Sequence, residues 1–251
     1  MLAASQVRAA ARVVALVCLA GLCGSGAVAQ SMPALQMAAL TPAEEALLIA
    51  PVPADTASLV KEPFNMPAAH SGAMPAKWRG LQPAIQMEAR ILELCRANRD
   101  ICTPAATSFL GIIEAARGRE GRARIGEINR AINLAIRPEN DLARFHVPDV
   151  WATPLATFAS GAGDCEDYAI AKYVALRQAG VTPENVRIVI VHNPALRQDH
   201  AVTAARVDGE WLILDNRTMM LLTDAQTGHL TPLVTLDDDV PRHTIAIVQA
   251  G

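Results

Sequence analysis

A cysteine flanked by carboxylates stands where a glycine-containing loop runs into an apolar, helix-like pattern. In "SGAGDCEDYAIAKYVALRQAG", Cys165 lies between Asp164 and Glu166. A helix start has unpaired N–H groups and a positive dipole end, which favour the thiolate, the nucleophilic form of cysteine. Gly161 and Gly163 would let backbone and substrate approach closely. The stretch predicts a nucleophilic cysteine whose own N–H can help to hold an oxyanion.

A nucleophilic thiolate also needs a general base and a group that orients the base. Both occur in "RQDHAVTAARVDGEWLILDNRT", where His200 opens one predicted strand and Asp215 closes the next. A turn at Asp208-Gly209 makes the strands antiparallel and brings His200 and Asp215 to one end, with a bulge absorbing the uneven count. The carboxylate can bind one ring nitrogen while the other faces the thiol. We therefore predict a catalytic triad of Cys165, His200 and Asp215.

Ordinary structural roles exist for each of these residue types. Cys165 could be a buried core thiol, His200 a strand-end residue and Asp215 a turn residue, but their order and placement together favour a thiol enzyme. His192 is a second candidate base; it precedes Asn193-Pro194, so we assign it to a loop. Trp151 is interpreted as a core anchor rather than as a cleft residue or an oxyanion donor.

The elements that must position these residues follow an α+β plan, with helices first and then one helix packed on an antiparallel sheet. Helical spacing turns Ile91, Leu92 and Cys95 towards the core, and Gly180 ends the cysteine helix. The predicted helices cover 85–95, 109–116, 125–136 and 165–179, and the predicted strands cover 186–191, 200–207, 211–215 and 245–248.

The chain of 251 residues fits one domain plus a tail. Its net charge of −3 and few aromatic residues argue against a nucleic-acid partner. Residues 1–29 are typical of a cleaved signal peptide, although an uncleaved anchor is the alternative. The rest divides into an Ala/Pro-rich flexible segment at 30–77 and a folded domain at 78–251. These features predict an exported protein that does not span the membrane after signal removal.

Export makes disulfides possible, and three cysteines remain beyond the signal peptide. Cys95 and Cys102 are close in sequence and form the natural pair. That pairing leaves Cys165 as an odd thiol, which in an exported protein is reactive or intermolecular. The alternative is that all three cysteines are reduced.

Two interpretations fit the carboxylates around Cys165. Asp164 can cap the helix with Asp167 as its capping-box partner, and Glu166 is favoured in the first turn by the dipole. Alternatively, these oxygen atoms bind Ca²⁺. Zinc is not expected, because no Cys/His pair has ligand spacing.

The segments "GDCEDYAIAKYVALRQAG", "DHAV" and "WLILDNRT" together resemble the bacterial transglutaminase-like cysteine peptidases, over roughly residues 80–250. The resemblance implies a papain/transglutaminase-like core and peptide cleavage through a thioester acyl-enzyme. Cys165, His200 and Asp215 match the family's Cys-His-Asp triad, in the family's order. A protein transglutaminase or acyltransferase with the same triad is one alternative, and a non-catalytic calcium-binding interaction module is another.

The periplasmic LapG-type branch of this family provides further expectations. Its peptidases require calcium, cleave large surface adhesins and are restrained by an inner-membrane receptor. Asp164 and Glu166 match the acidic residues that this branch uses for calcium, and Asp167 is the third candidate ligand. The resemblance therefore implies a periplasmic location, a Ca²⁺ site, an adhesin substrate and a receptor partner.

Overall fold

The computed structural model describes residues 61–238, so the signal peptide, residues 30–60 and the strand predicted at 245–248 lie outside it. The helices are α1 (Ala73–Ala97), α2 (Pro104–Arg117), α3 (Gly121–Ala135), α4 (Asp141–Phe145), α5 (Pro154–Ser160) and α6 (Cys165–Gln178). The strands are β1 (Arg137–Pro138), β2 (Ala162–Gly163), β3 (Val186–Asn193), β4 (Gln198–Val207), β5 (Glu210–Leu214), β6 (Leu222–Thr223) and β7 (Thr231–Leu236).

The predicted α+β plan is confirmed. Strands β3–β7 form an antiparallel sheet in the order β6-β5-β4-β3-β7. Helix α6 packs on β4 and β3, and α2, α3 and α5 pack around α6. Side chains from Asp167 to Leu176 are all buried, because this helix lies between the sheet and the other helices. None of the helices in residues 61–238 is both long and apolar enough to cross a bilayer.

Local signals explain where several elements begin and end. Thr103 accepts a hydrogen bond from the Ala106 N–H, which caps α2. Gly180 follows α6 with φ of 97°, a conformation that favours glycine, and stops the helix. Asp208 and Gly209 also have positive φ, 52° and 79°, as a tight hairpin turn between β4 and β5 requires.

Three local predictions need correction. Ile91 is 38% exposed, whereas Leu92 and Cys95 are buried, so the core-facing stripe of α1 is narrower than the spacing suggested. His192 belongs to β3 rather than to a loop, because the strand continues to Asn193 before the chain turns. Strand β7 was not anticipated, since the proline in "TPLVTL" weakens a strand pattern.

The disulfide predicted between Cys95 and Cys102 is absent, and both cysteines are free. The Cys102 thiol instead lies 3.6 Å from the carbonyl oxygen of Cys95. The structure corresponds to the alternative in which the thiols are reduced.

The packed part of the chain extends upstream of Trp78, where the sequence placed the domain start. Trp78 is buried inside α1, which begins at Ala73. Further upstream, Glu62 binds the buried Arg187 of β3 through two contacts of 3.0 Å. A buried guanidinium needs such a partner, so the segment beginning at Lys61 belongs to the packed structure.

Candidate active site

Cys165 begins α6 directly after a tight backbone passage through β2. Strand β2 pairs in parallel with β1, and Gly163 opposes Pro138. A Cβ at Gly163 would lie 2.7 Å from the Cβ of Asp167, so only glycine fits without displacement. Gly163 was predicted to let substrate approach closely. In the structure, its lack of a side chain leaves room for the Asp167 side chain, which fixes the start of α6.

The β4–β5 hairpin brings His200 and Asp215 into contact. Their register is regular up to the pair Thr203–Leu214, so the predicted bulge is not needed. Asp215 follows β5, and its Oδ1 lies 2.8 Å from His200 Nε2. The same Oδ1 accepts the Arg217 N–H at 2.9 Å. Although burial opposes its charge, these two hydrogen bonds hold the pKa of Asp215 below its ordinary value.

Cys165 and His200 line the same cavity of about 250 Å³. His200 is buried, and its Nδ1 has no hydrogen-bond partner in the part of the chain that the structure describes. Asp215 thus occupies one ring nitrogen and leaves the other available. Besides these two, the cavity is lined by Met74, Asp149, Trp151, Glu166, Ile190, Asp199 and Ala201.

The Cys165 thiol donates to Glu166 Oε2 at 3.1 Å in this structure. Burial and the charge of Glu166 raise the pKa of Cys165, and a hydrogen bond from the Ala201 backbone lowers it. This hydrogen bond places the sulfur against β4 at Ala201, the residue that follows His200. The raised pKa favours the thiol form in this arrangement, and a neighbouring positive charge would favour its ionisation.

Three carboxylates form a cluster beside the thiol. Oxygen atoms of Asp141, Asp164 and Glu166 all lie within 4.8 Å of one another. Burial, followed by the hydrogen bond and charge of Asp164, raises the pKa of Glu166 to about 8. Oδ1 of Asp141 and Oδ1 of Asp164 are buried and have no hydrogen-bond partner among the described residues. Unpartnered hard oxygens at this spacing fit a calcium ion.

Asp167 does not join this cluster. Its Oδ1 accepts the Ala152 N–H at 2.9 Å, and its Oδ2 lies 3.5 Å from Arg144 Nη1. Burial raises its pKa to about 6. The predicted capping box is not formed either, because Asp164 at the N-cap makes no capping hydrogen bond. Its carboxylate is free to face Asp141 and Glu166 instead.

The loop before α5 supplies one wall of the cavity. Asp149 has φ of 62° and is held by Lys77 Nζ and by the indole N–H of Trp151, each at 2.8 Å from its Oδ1. Because that N–H is already committed to Asp149, Trp151 is not positioned as an oxyanion donor. Trp151 is 9% exposed and packs in the core while its edge lines the cavity.

The second candidate base has a different partner. His192 Nδ1 lies 2.7 Å from Asp199 Oδ1, at the cross-strand pair predicted by the β3–β4 register. His192 is not among the residues lining the cavity with Cys165. Asp199 borders the cavity, but the pair is exposed and His192 itself does not line the cavity.

Two residues in and behind the site were missed from the sequence. Asp141 begins α4, twenty-four residues before Cys165, and the polar stretch "RPENDLARF" gives no ligand spacing. Lys172 lies within the apolar pattern of α6 and is 1% exposed. A lysine inside a buried helix was the one signal available for Lys172.

Comparisons with known proteins identify a family and a fold. The sequence pattern of the family described as "Bacterial transglutaminase-like cysteine proteinase BTLCP" matches residues 84–230. Among proteins with curated descriptions, none matches. The structure of Legionella pneumophila LapG is similar at a TM-score of 0.50 and 24% identity, covering 61% of this chain and 84% of that one.

A calcium-bound structure of the same Legionella protein gives a TM-score of 0.50 at 22% identity, over the same shares of the two chains. Identities at this level show a common fold. The shared fold is the transglutaminase-like peptidase fold, in which the helices and antiparallel sheet described above form the core.

Proposed function

The chain belongs to the bacterial transglutaminase-like cysteine proteinases and is a cysteine peptidase; on that premise we propose that Cys165 is its nucleophile, His200 its general base and Asp215 the residue that orients His200. The observation that carries the proposal is that the two ring nitrogens of His200 have different environments. Its Nε2 is bound to Asp215, and its buried Nδ1 is unpartnered among the described residues in a ring that borders the cavity of Cys165.

In the proposed reaction, His200 Nδ1 takes the proton from Cys165, and the thiolate attacks the carbonyl carbon of a peptide bond. The first N–H of α6, at Cys165, is available to the developing oxyanion, because it has no partner within the helix. The protonated Nδ1 then gives its proton to the leaving amine, and a thioester to Cys165 remains. Water, deprotonated by His200, hydrolyses the thioester and regenerates the thiol.

We include calcium in the proposal, held by Asp141, Asp164 and Glu166. The support is the mutual distance of their oxygens, the two buried oxygens without partners and the hard-oxygen chemistry of the set. In this proposal Asp141 replaces Asp167, which was the third candidate ligand. When bound, the cation supplies positive charge beside the thiol and engages the carboxylate to which the thiol donates.

The resemblance to the LapG-type branch extends the proposal to location and substrate. The signal-like residues 1–29 support export to the periplasm. A protein substrate follows from the peptidase family. We propose that this substrate is a surface adhesin and that an inner-membrane receptor controls access to it.

Hydrolysis rather than acyl transfer is tested with the mature protein, Ca²⁺ and a peptide library in H₂¹⁸O. Since water resolves the proposed thioester, mass spectrometry should find one ¹⁸O in each newly formed C-terminus, even with excess lysine analogue present. Products that carry the amine in place of ¹⁸O would assign the chain to acyl transfer. Absence of any product would count against the peptidase chemistry, provided that Cys165 is shown to be reduced.

A further inference from the structure

A buried lysine lies behind the proposed triad. Lys172 is 1% exposed and follows Cys165 by seven residues, which is about two turns along the same face of α6. Its Nζ donates to the carbonyl oxygen of Leu214 at 3.4 Å and lies 5.8 Å from the centre of the Tyr168 ring. Lysine is almost never fully buried unless its charge is paired, so this position needs a physical explanation.

The packing of α6 on the hairpin explains how Lys172 reaches Leu214. Thr203 Oγ1 of β4 donates to the carbonyl oxygen of Ala169 in α6 at 2.8 Å. Thr203 is also the cross-strand partner of Leu214. The helix is thereby docked so that Lys172, three residues after Ala169, contacts the end of β5. That contact is made immediately before Asp215.

The charges of Lys172 and Asp215 act on each other. Burial lowers the pKa of Lys172 to about 7, and the negative charge of Asp215 opposes that effect. In return, the positive charge of Lys172 helps to hold the pKa of Asp215 down. Around this pair stand the Tyr168 ring from α6, His200 on Asp215, and Asn133 of α3, whose amide donates to the Asp215 carbonyl at 2.9 Å.

We propose that Lys172 is a positioning residue for the triad, whose ammonium holds the chain at Leu214–Asp215 and favours the Asp215 carboxylate that fixes His200. This inference rests on the proposed function, because it assigns Lys172 a role relative to His200 and Asp215. An apolar side chain would fill the same space without the cost of burying a charge. The geometry therefore points to a role for the charge itself.

The electrostatic coupling can be measured without any substrate. The chain has three lysines, Lys61, Lys77 and Lys172, so ¹³C labelling at lysine Cε gives three assignable signals. Lys172 should titrate near 7 in the folded protein. In Asp215→Asn its pKa should fall further, by roughly 1, because the opposing negative charge is lost. A Lys172 pKa that is the same in the wild-type protein and in Asp215→Asn would overturn the inference.

The positioning role is tested by Lys172→Met, which keeps the length and removes the charge, with Lys61→Met as the matched control. Lys61 is a surface lysine paired with Asp224. The Lys172 variant should lose about tenfold or more in kcat with KM nearly unchanged, when rates are normalised to folded protein. If Lys172→Met has the same kcat per folded molecule as the wild type, or if Lys61→Met loses as much kcat, the positioning role is contradicted.

The two arms separate this inference from the proposed function. If the wild-type protein cleaves nothing, the peptidase proposal fails and the titration of Lys172 still decides whether it is coupled to Asp215. If the wild-type protein is active and Lys172→Met matches it, the triad stands and the positioning role falls.

Discussion

Replacing Cys165 with alanine should abolish peptide cleavage, with a loss of at least about 10⁴-fold in kcat. The physical reason is that, among the described residues lining the cavity, none besides Cys165 carries a thiol or a hydroxyl group. His200 and the carboxylates that share it can bind or move a proton, but none is placed to form the thioester. Since Cys165 is only partly buried against the core, the smaller side chain should leave the fold intact.

Cys102→Ala is the matched control for this result. Cys102 is also a free, half-buried thiol, and it lies between α1 and α2, away from the cavity residues. Cleavage should remain within about twofold of wild type, because no step depends on that sulfur. Equal losses in both variants would indicate a general effect of thiol replacement, and retained cleavage in Cys165→Ala would remove Cys165 as the nucleophile.

Calcium removal should produce the second largest effect, a reversible loss of at least about 100-fold in cleavage on adding a calcium chelator. Without the cation, three uncompensated acidic groups, Asp141, Asp164 and Glu166, stand beside a half-buried thiol. Burial and the Glu166 charge then keep the pKa of Cys165 above its ordinary value, so the thiolate is scarce at neutral pH. Restoring Ca²⁺ should restore cleavage.

Binding measurements separate the metal site from activity. By calorimetry, Asp141→Asn should weaken Ca²⁺ binding by about tenfold or more, because it removes a charged ligand oxygen. Asp199→Asn is the control, since Asp199 lines the same cavity but lies outside the cluster and pairs with His192. Full activity in chelator, or equal calcium affinity in Asp141→Asn and wild type, would exclude the proposed site.

The parts of the fold predicted most closely from sequence are those set by local chemistry. Gly180 stops α6 as predicted, and the positive φ values of Asp208 and Gly209 fit the hairpin turn. The hairpin in turn explains why His200 and Asp215 could be paired before the structure was known. Only the predicted bulge was wrong. The Asp215 side chain reaches His200 across the uneven residue count, so the strands keep a regular register.

Features that depend on distant packing were not predictable in the same way. Asp141 joins Asp164 and Glu166 only because α4 folds against the start of α6, and no spacing encodes that approach. Asp164 fits a capping pattern in sequence, yet its carboxylate faces other carboxylates. Lys172 looks like an interruption of an apolar stripe until the contact with Leu214 is seen.

The rate of alkylation of Cys165 by iodoacetamide tests the central claim most directly. It should be measured at neutral pH with Ca²⁺, in wild type and in His200→Ala, with Cys165 identified by mass spectrometry. If the imidazole serves the sulfur, wild-type Cys165 reacts about tenfold or more faster than a free cysteine thiol, and His200→Ala removes most of that advantage. Equally fast alkylation in both proteins would show that His200 does not activate Cys165 and would contradict the account.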